Sequence, residues 1–156
     1  MFAQIIRFLN ELHTLTCRVQ CLSHNAQLPQ KQSDQAAGYD LSSIENLTLP
    51  PHGRALVHTG LRVAPPPHTH IEIRPRSGLA LKHGITVLNA PGTVDSDYRG
   101  ELMVLLFNTS ETPFEIHTGD RIAQAVFMRH LDVRWTPAAS FDKTTRGDKG
   151  FGSTGS

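Results

Sequence analysis

The chain has 156 residues, with fifteen Lys plus Arg against fourteen Asp plus Glu, a formal charge of +1 with nine histidines neutral. At about 100–200 residues per domain, that length holds one domain and not two. Near-neutral charge leaves no polybasic field for nucleic acid or an anionic membrane, and 38% hydrophobic against 19% charged residues excludes a disordered chain.

At the N-terminus Phe2, Ile5, Ile6, Leu9 and Leu12 fall on one helical stripe, which predicts a short amphipathic helix within an extension spanning 1–16. A docking extension or a frayed terminus fits it better than an organelle-targeting peptide, since it carries one arginine and one acid. Cys17 and Cys21 are the only cysteines, too few for a secreted framework and without zinc-site spacing. They read as reduced thiols in an intracellular protein, cytoplasmic and/or nuclear. No apolar run approaches the roughly 18–20 residues of a membrane span.

From Cys17 the pattern changes to short β-type runs between turns: CRVQCL, NLTLP, RALVHTG, LRVAP, HIEIRP, ITVL, GTV, ELMVLLF, FEIHTG, RIAQAVFM and DVRW. Such spacing predicts an all-β sandwich or barrel over 17–136. PPP at 65–67 is a rigid elbow. Only SGLALKHG reads as helical, with Ser77 as its N-cap and Gly84 closing it. After Trp135 the chain becomes small, polar and Gly-rich, so 137–156 is expected to be a flexible arm unless it closes over something.

Several segments carry chemistry beside a plainer reading. In RPRSGLA (74–80), Arg74 and Arg76 precede a helix start whose N–H groups can hold an anion; a solvated arginine pair at a strand end fits equally. NAPGTVDSDYRGE (89–101) is a candidate hairpin with Pro91 and Gly92 at its tip. Strand alternation would point Asp95 and Asp97 together and Tyr98 away, unless a turn intervenes. An aspartate there can deprotonate a water, and a tyrosine can pack on a sugar; an acidic turn with a core tyrosine is the alternative. In GDRIAQAV (119–126), Gln124 is a neutral amide among apolar neighbours, suited to a water, a phosphate oxygen or a backbone partner. His68 and His70 could face one metal with Glu72, though a solvated strand face explains them better. RGDKGFGSTG (146–155) joins two cations, glycines and hydroxyls that can wrap phosphates, with Phe151 as an aromatic that could stack; it is not a P-loop.

In order, AGYDL, RPRSGLA, NAPGTVDSDYRGE, GDRIAQ and RGDKGFGSTG resemble the five motifs of the deoxyuridine triphosphate nucleotidohydrolase (dUTPase) family, from about Cys17 to Gly155. The resemblance implies a homotrimer of jelly-roll-like subunits, its active sites shared between chains, that splits dUTP into dUMP and pyrophosphate with Mg²⁺. It implies roles residue by residue. Asp95 activates the attacking water and Gln124 helps hold it. Asn89, with backbone groups around Gly92 and Val94, binds uracil, and Tyr98 packs under the deoxyribose. Arg76, Ser77 and Gly78 grip the phosphates. Arg146, Phe151, Gly152, Ser153 and Thr154 close as a lid, Phe151 over the base. Asp40 touches the metal through water. Two positions depart from the commonest pattern: Lys149 replaces a frequent glycine, and Ser42 and Ser43 follow AGYDL where an aromatic is often found. A catalytically silent nucleotide-binding protein on this scaffold and a dCTP deaminase-like enzyme are the alternative readings.

Overall fold

The computed structural model describes residues 14–150. The apolar stripe at Phe2–Leu12 and the tail residues Phe151, Gly152, Ser153 and Thr154 lie outside the described residues.

Alternation decides most of the architecture. Strand β8 (Glu101–Asn108) buries every second residue, Leu102, Val104, Leu106 and Asn108, and leaves those between them partly exposed. Strand β5 (Thr69–Arg74) does the same with Thr69, Ile71 and Ile73. Side chains on a strand point to opposite faces by turns, so such a sequence pays its desolvation on one face only. Each fully buried Leu or Ile contributes about 1.5–3 kcal/mol.

Two four-stranded antiparallel sheets result. One has the order β1 (Arg18–Cys21), β4 (Arg54–Ala64), β8 and β6 (Ile85–Val87); the other β2 (Gly38–Ser42), β10 (Arg121–Arg129), β5 and β7 (Gly92–Val94). A ribbon of β3 (Leu47–Leu49) and β9 (Phe114–Ile116) completes the strands among the described residues. Both large sheets feed one apolar cluster that includes Leu41, Val57, Leu61, Ile71, Ile85, Leu106 and Ile122. This is the all-β, jelly-roll-like subunit the sequence predicts. The buried Asn108 sits in that core fully partnered, donating to the carbonyls of Leu49 and Thr112 and accepting from Ser110.

Four local expectations change. RALVHTG and LRVAP form one strand, β4: Gly60 has φ +67, a bulge within the strand instead of a turn ending it. Across it the register slips from His58 opposite Met103 to Leu61 opposite Leu102, three steps on β4 for one on β8. That slip of two keeps Val57, Leu61 and Val63 on the core side. NAPG is not the tip of a paired hairpin, because β6 bonds to β8 and β7 to β5, so the loop crosses from one sheet to the other. DVRW (132–135) joins no strand, and residues 128–150 are all exposed. The one helix among the described residues, α1 (Ser77–His83), ends as expected at Gly84 with φ 67, but its N-cap is Arg76, with no side-chain cap; Ser77 is its first turn.

Candidate active site

Asp95 is the first residue after β7. The chain then turns, with the Tyr98 N–H donating to the Asp95 carbonyl at 3.2 Å. The turn overrides strand alternation and brings Asp95 and Tyr98 into the lining of one cleft of about 220 Å³, with Leu56, Val94 and Glu101. The Tyr98 hydroxyl donates to the Glu101 carbonyl at 3.0 Å, folding the ring back over Gly100, where any β-carbon would collide with the phenol. Just upstream, a β-carbon on Gly92 would lie 3.0 Å from Asn89 Nδ2, so that amide sits directly against the loop backbone.

Behind the cleft, Glu101 anchors the β4 bulge. One carboxylate oxygen accepts the Gly60 N–H at 2.8 Å and the other contacts His58 Nδ1 at 2.9 Å. The hydrogen bond to this carboxylate holds His58 above the ordinary imidazole range, against an opposing effect of burial.

A second constellation lies on the other side of β5. Arg121 Nη1 donates to Asp40 Oδ2 at 3.1 Å, Arg76 Nε lies 3.3 Å from Asp40 Oδ1, and Arg76 Nη1 donates to the Arg121 carbonyl at 2.7 Å. Two guanidiniums share the Asp40 carboxylate, and Asp120 lines the same depression; the guanidinium donors that Asp40 does not take up suit an anion. Gln124 pairs directly with Asp40 across β2 and β10, and its Nε2 donates to the Pro75 carbonyl at 2.9 Å. The N–H groups of Ser77, Gly78 and Leu79 precede the first helical bond, from Ala80 N–H to the Arg76 carbonyl. Nothing lies within 4 Å of where a Gly78 β-carbon would be, so a ligand could approach the backbone there.

The two constellations occupy different edges of one sheet. Gly92, Ile73, Ala125 and Tyr39 form a row across β7, β5, β10 and β2. Neighbouring strands sit about 4.8 Å apart, which places β7 about 10 Å from β10 and about 14 Å from β2. Within one chain, therefore, Asp95, Tyr98 and Val94 come together, and Asp40, Arg76 and Gln124 come together, at separate places. Arg146, in the arm, is exposed and closes a local turn, its Nε donating to the Lys149 carbonyl at 3.0 Å.

The dUTPase family model matches residues 24–155. The chain belongs to the dUTPase family. Among dUTPases, the chain is 54% identical over 147 residues to the deoxyuridine 5'-triphosphate nucleotidohydrolase of Wolinella succinogenes, covering 94% of this chain and 99% of that one. The Cytophaga hutchinsonii enzyme of the same name is 49% identical over 152 residues, 96% and 98% of the two chains. Among solved structures, the Staphylococcus bacteriophage 80alpha dUTPase with dUpNHpp superposes with a TM-score of 0.86 at 27% identity, covering 92% of this chain and all of that one.

Arg121 is the site residue that sequence reasoning passed over in this dUTPase. It is three positions from Gln124, the wrong parity for a shared strand face. The register of β10 on β2 slips by one between Arg121 and Ala123, which turns Arg121 towards Asp40 and lets both Ile122 and Ala123 face inward. His68 and His70 do not pair as one metal face either: His70 Nε2 lies 3.6 Å from Glu72, whereas His68 Nδ1 lies 3.4 Å from Asp132.

Proposed function

We propose that the protein hydrolyses dUTP to dUMP and pyrophosphate in a homotrimer whose active sites are shared between chains. The activity follows from the family, and the observation that carries the site assignment is the cleft joining Asp95 to Tyr98. A carboxylate beside an aromatic ring is what attack on a nucleoside phosphate needs: one group to take a proton, one surface for the sugar. Asp95 takes a proton from a water as its oxygen bonds to the α-phosphorus. The bond from that phosphorus to the bridging oxygen breaks, and pyrophosphate leaves with the electron pair. Tyr98, folded against Gly100, packs under the deoxyribose where a 2′-hydroxyl would clash. Asn89 and the backbone at Gly92 and Val94 read the uracil edge.

The separation of the two constellations supports sharing between chains. Asp95 of one chain and the Arg76, Ser77, Gly78 and Gln124 group of another can close on one nucleotide, whereas within a chain they stand on different strands of the sheet. The arm points the same way: Leu131, Trp135 and Phe141 are 89%, 89% and 91% exposed in the single chain, an apolar surface that belongs against a neighbour. From a third chain, Arg146 with Phe151, Gly152, Ser153 and Thr154 closes over base and phosphates. The functional division is then an extension at 1–16, the β domain at 17–136 and the arm at 137–156.

The chemistry of the corner also defines what a cation could find there. Asp40 is the carboxylate that both arginines pair with, and both its oxygens are within 3.3 Å of a guanidinium. That fits acceptance from a metal-bound water and not an inner-shell bond. Mg²⁺, which keeps several waters and favours phosphate oxygens, would neutralise charge on the triphosphate. The pool served is intracellular, cytoplasmic and/or nuclear. No helix among the described residues is long and apolar enough to cross a membrane.

Pyrophosphate release with Mg²⁺, measured on dUTP beside dCTP, dTTP and UTP, tests the reading. Release from dUTP alone supports it. Binding of dUTP without release would replace it with the silent scaffold, and ammonia from dCTP with the deaminase.

A further inference from the structure

At the far end of the second sheet the β5–β10 ladder runs out with Thr69 opposite Arg129. The next pair outward is His68 and His130, linked by the His130 N–H donating to the His68 carbonyl at 3.2 Å. Asp132 follows two residues later, the spacing that returns a side chain to the same side of an extended chain. One ligand atom from each of His68, His130 and Asp132 lies within 4.8 Å of the others, and the His68 Nδ1 to Asp132 Oδ2 distance is 3.4 Å. Ligand atoms sharing a tetrahedral ion with bonds near 2.1 Å lie about 3.4 Å apart, so this pair already has the required spacing.

Two further features favour an ion here. His68 holds φ +59, a left-handed backbone that histidine adopts uncommonly, and it sets the ring at the end of the Pro65–Pro67 elbow. Behind His130 stands His70, the two Nδ1 atoms 3.4 Å apart, and His70 Nε2 in turn faces Glu72 at 3.6 Å. A ligating imidazole normally has its other nitrogen held by such a group, which fixes the ring and raises its basicity.

We propose that His68, His130 and Asp132 form a binding site for a borderline divalent transition-metal ion such as Zn²⁺ or Ni²⁺, with His70 as the positioning residue behind His130. Two imidazoles and one carboxylate suit such ions and not Mg²⁺, which prefers oxygen ligands. Water fills the remaining positions. The ion ties the start of the segment leading to the C-terminal arm onto the proline elbow, outside the cleft and the arginine corner.

Calorimetric titration of the assembled, full-length protein with Zn²⁺ in excess Mg²⁺ tests this. The expected result is one ion per chain, abolished in the His68→Ala/His130→Ala double variant and in Asp132→Asn, and weakened about 10–100-fold in His70→Ala. The ligand side chains are exposed, so the variants should fold, which circular dichroism and gel filtration check. X-ray absorption at the zinc edge should show nitrogen and oxygen neighbours only. No uptake, uptake undiminished in the double variant, or a zinc–sulfur signal implicating Cys17 or Cys21 would each overturn the assignment.

Discussion

The side-chain oxygen of Gln124 occupies the space that a β-carbon on Gly38 would take, well inside van der Waals contact. The glycine of AGYDL thus makes room for the glutamine of GDRIAQ, on the neighbouring strand. Gly38→Ala should push the Gln124 amide off its place beside Pro75 with little effect on the strand pairing. A displacement of about 1 Å in a positioning group can cost about 10²-fold in rate. We expect kcat for dUTP to fall by that order with Tm nearly unchanged. Wild-type kcat in Gly38→Ala would remove Gln124 from water positioning.

Asp95→Asn keeps the shape of the cleft and removes the proton acceptor. Nucleotide binding, followed by calorimetry with dUTP, should persist while kcat drops by about 10²–10⁴-fold. Loss of binding and turnover together would mean that Asp95 holds substrate and is not the base.

Mixing two inactive proteins distinguishes shared sites from self-contained ones. If Asp95 of one chain works with Arg76 of the next, a trimer containing both Asp95→Asn and Arg76→Ala chains has one junction where both residues are intact. Random reassembly of equal amounts should recover about one quarter of wild-type activity. No recovery after verified subunit exchange would mean that each site takes both residues from a single chain.

Gly100→Ala should displace the Tyr98 phenol, which folds over that glycine to reach the Glu101 carbonyl. Since Tyr98 is assigned to the deoxyribose, the ratio of kcat/KM for dUTP over UTP should fall by about 10-fold or more, a loss of roughly 1.4 kcal/mol in discrimination. An unchanged ratio would move sugar selection elsewhere.

The His58–Glu101 contact gives stability a pH dependence of known sign. The imidazole's folded value is raised by hydrogen bonding to Glu101. Its contribution is therefore full below the unfolded value and is lost as pH rises through the folded one. Comparing Tm of wild type and His58→Gln between about pH 5.5 and about pH 8.5, the wild-type advantage should shrink with rising pH. Because His58 is 45% exposed, solvent screens the pair and the effect should be small. A gap that widened with pH would refute the coupling.

What could be read in the sequence was what depends on local periodicity. The strand runs ELMVLLF and HIEIRP and the Gly84 helix stop needed only neighbouring residues, and they stand as expected. What could not be read depends on partners distant in the chain. Gly60 looks like any turn glycine until β8 is known to run past it, and NAPG looks like a hairpin tip until β6 and β7 are seen to choose different sheets. Arg121 joins Asp40 only through a one-residue slip that no spacing announces. Likewise sequence spacing puts His68 with His70, two residues on, while the ladder sets it beside His130.

Trp135 is the chain's single tryptophan, and in the isolated subunit its indole stands 89% in solvent. An indole reports the polarity around it, so the protein carries its own optical gauge in the segment that leads to the arm. Emission from a lone subunit should be that of a solvated indole, and any packing of this segment against a neighbour would shift it to the blue with no added label.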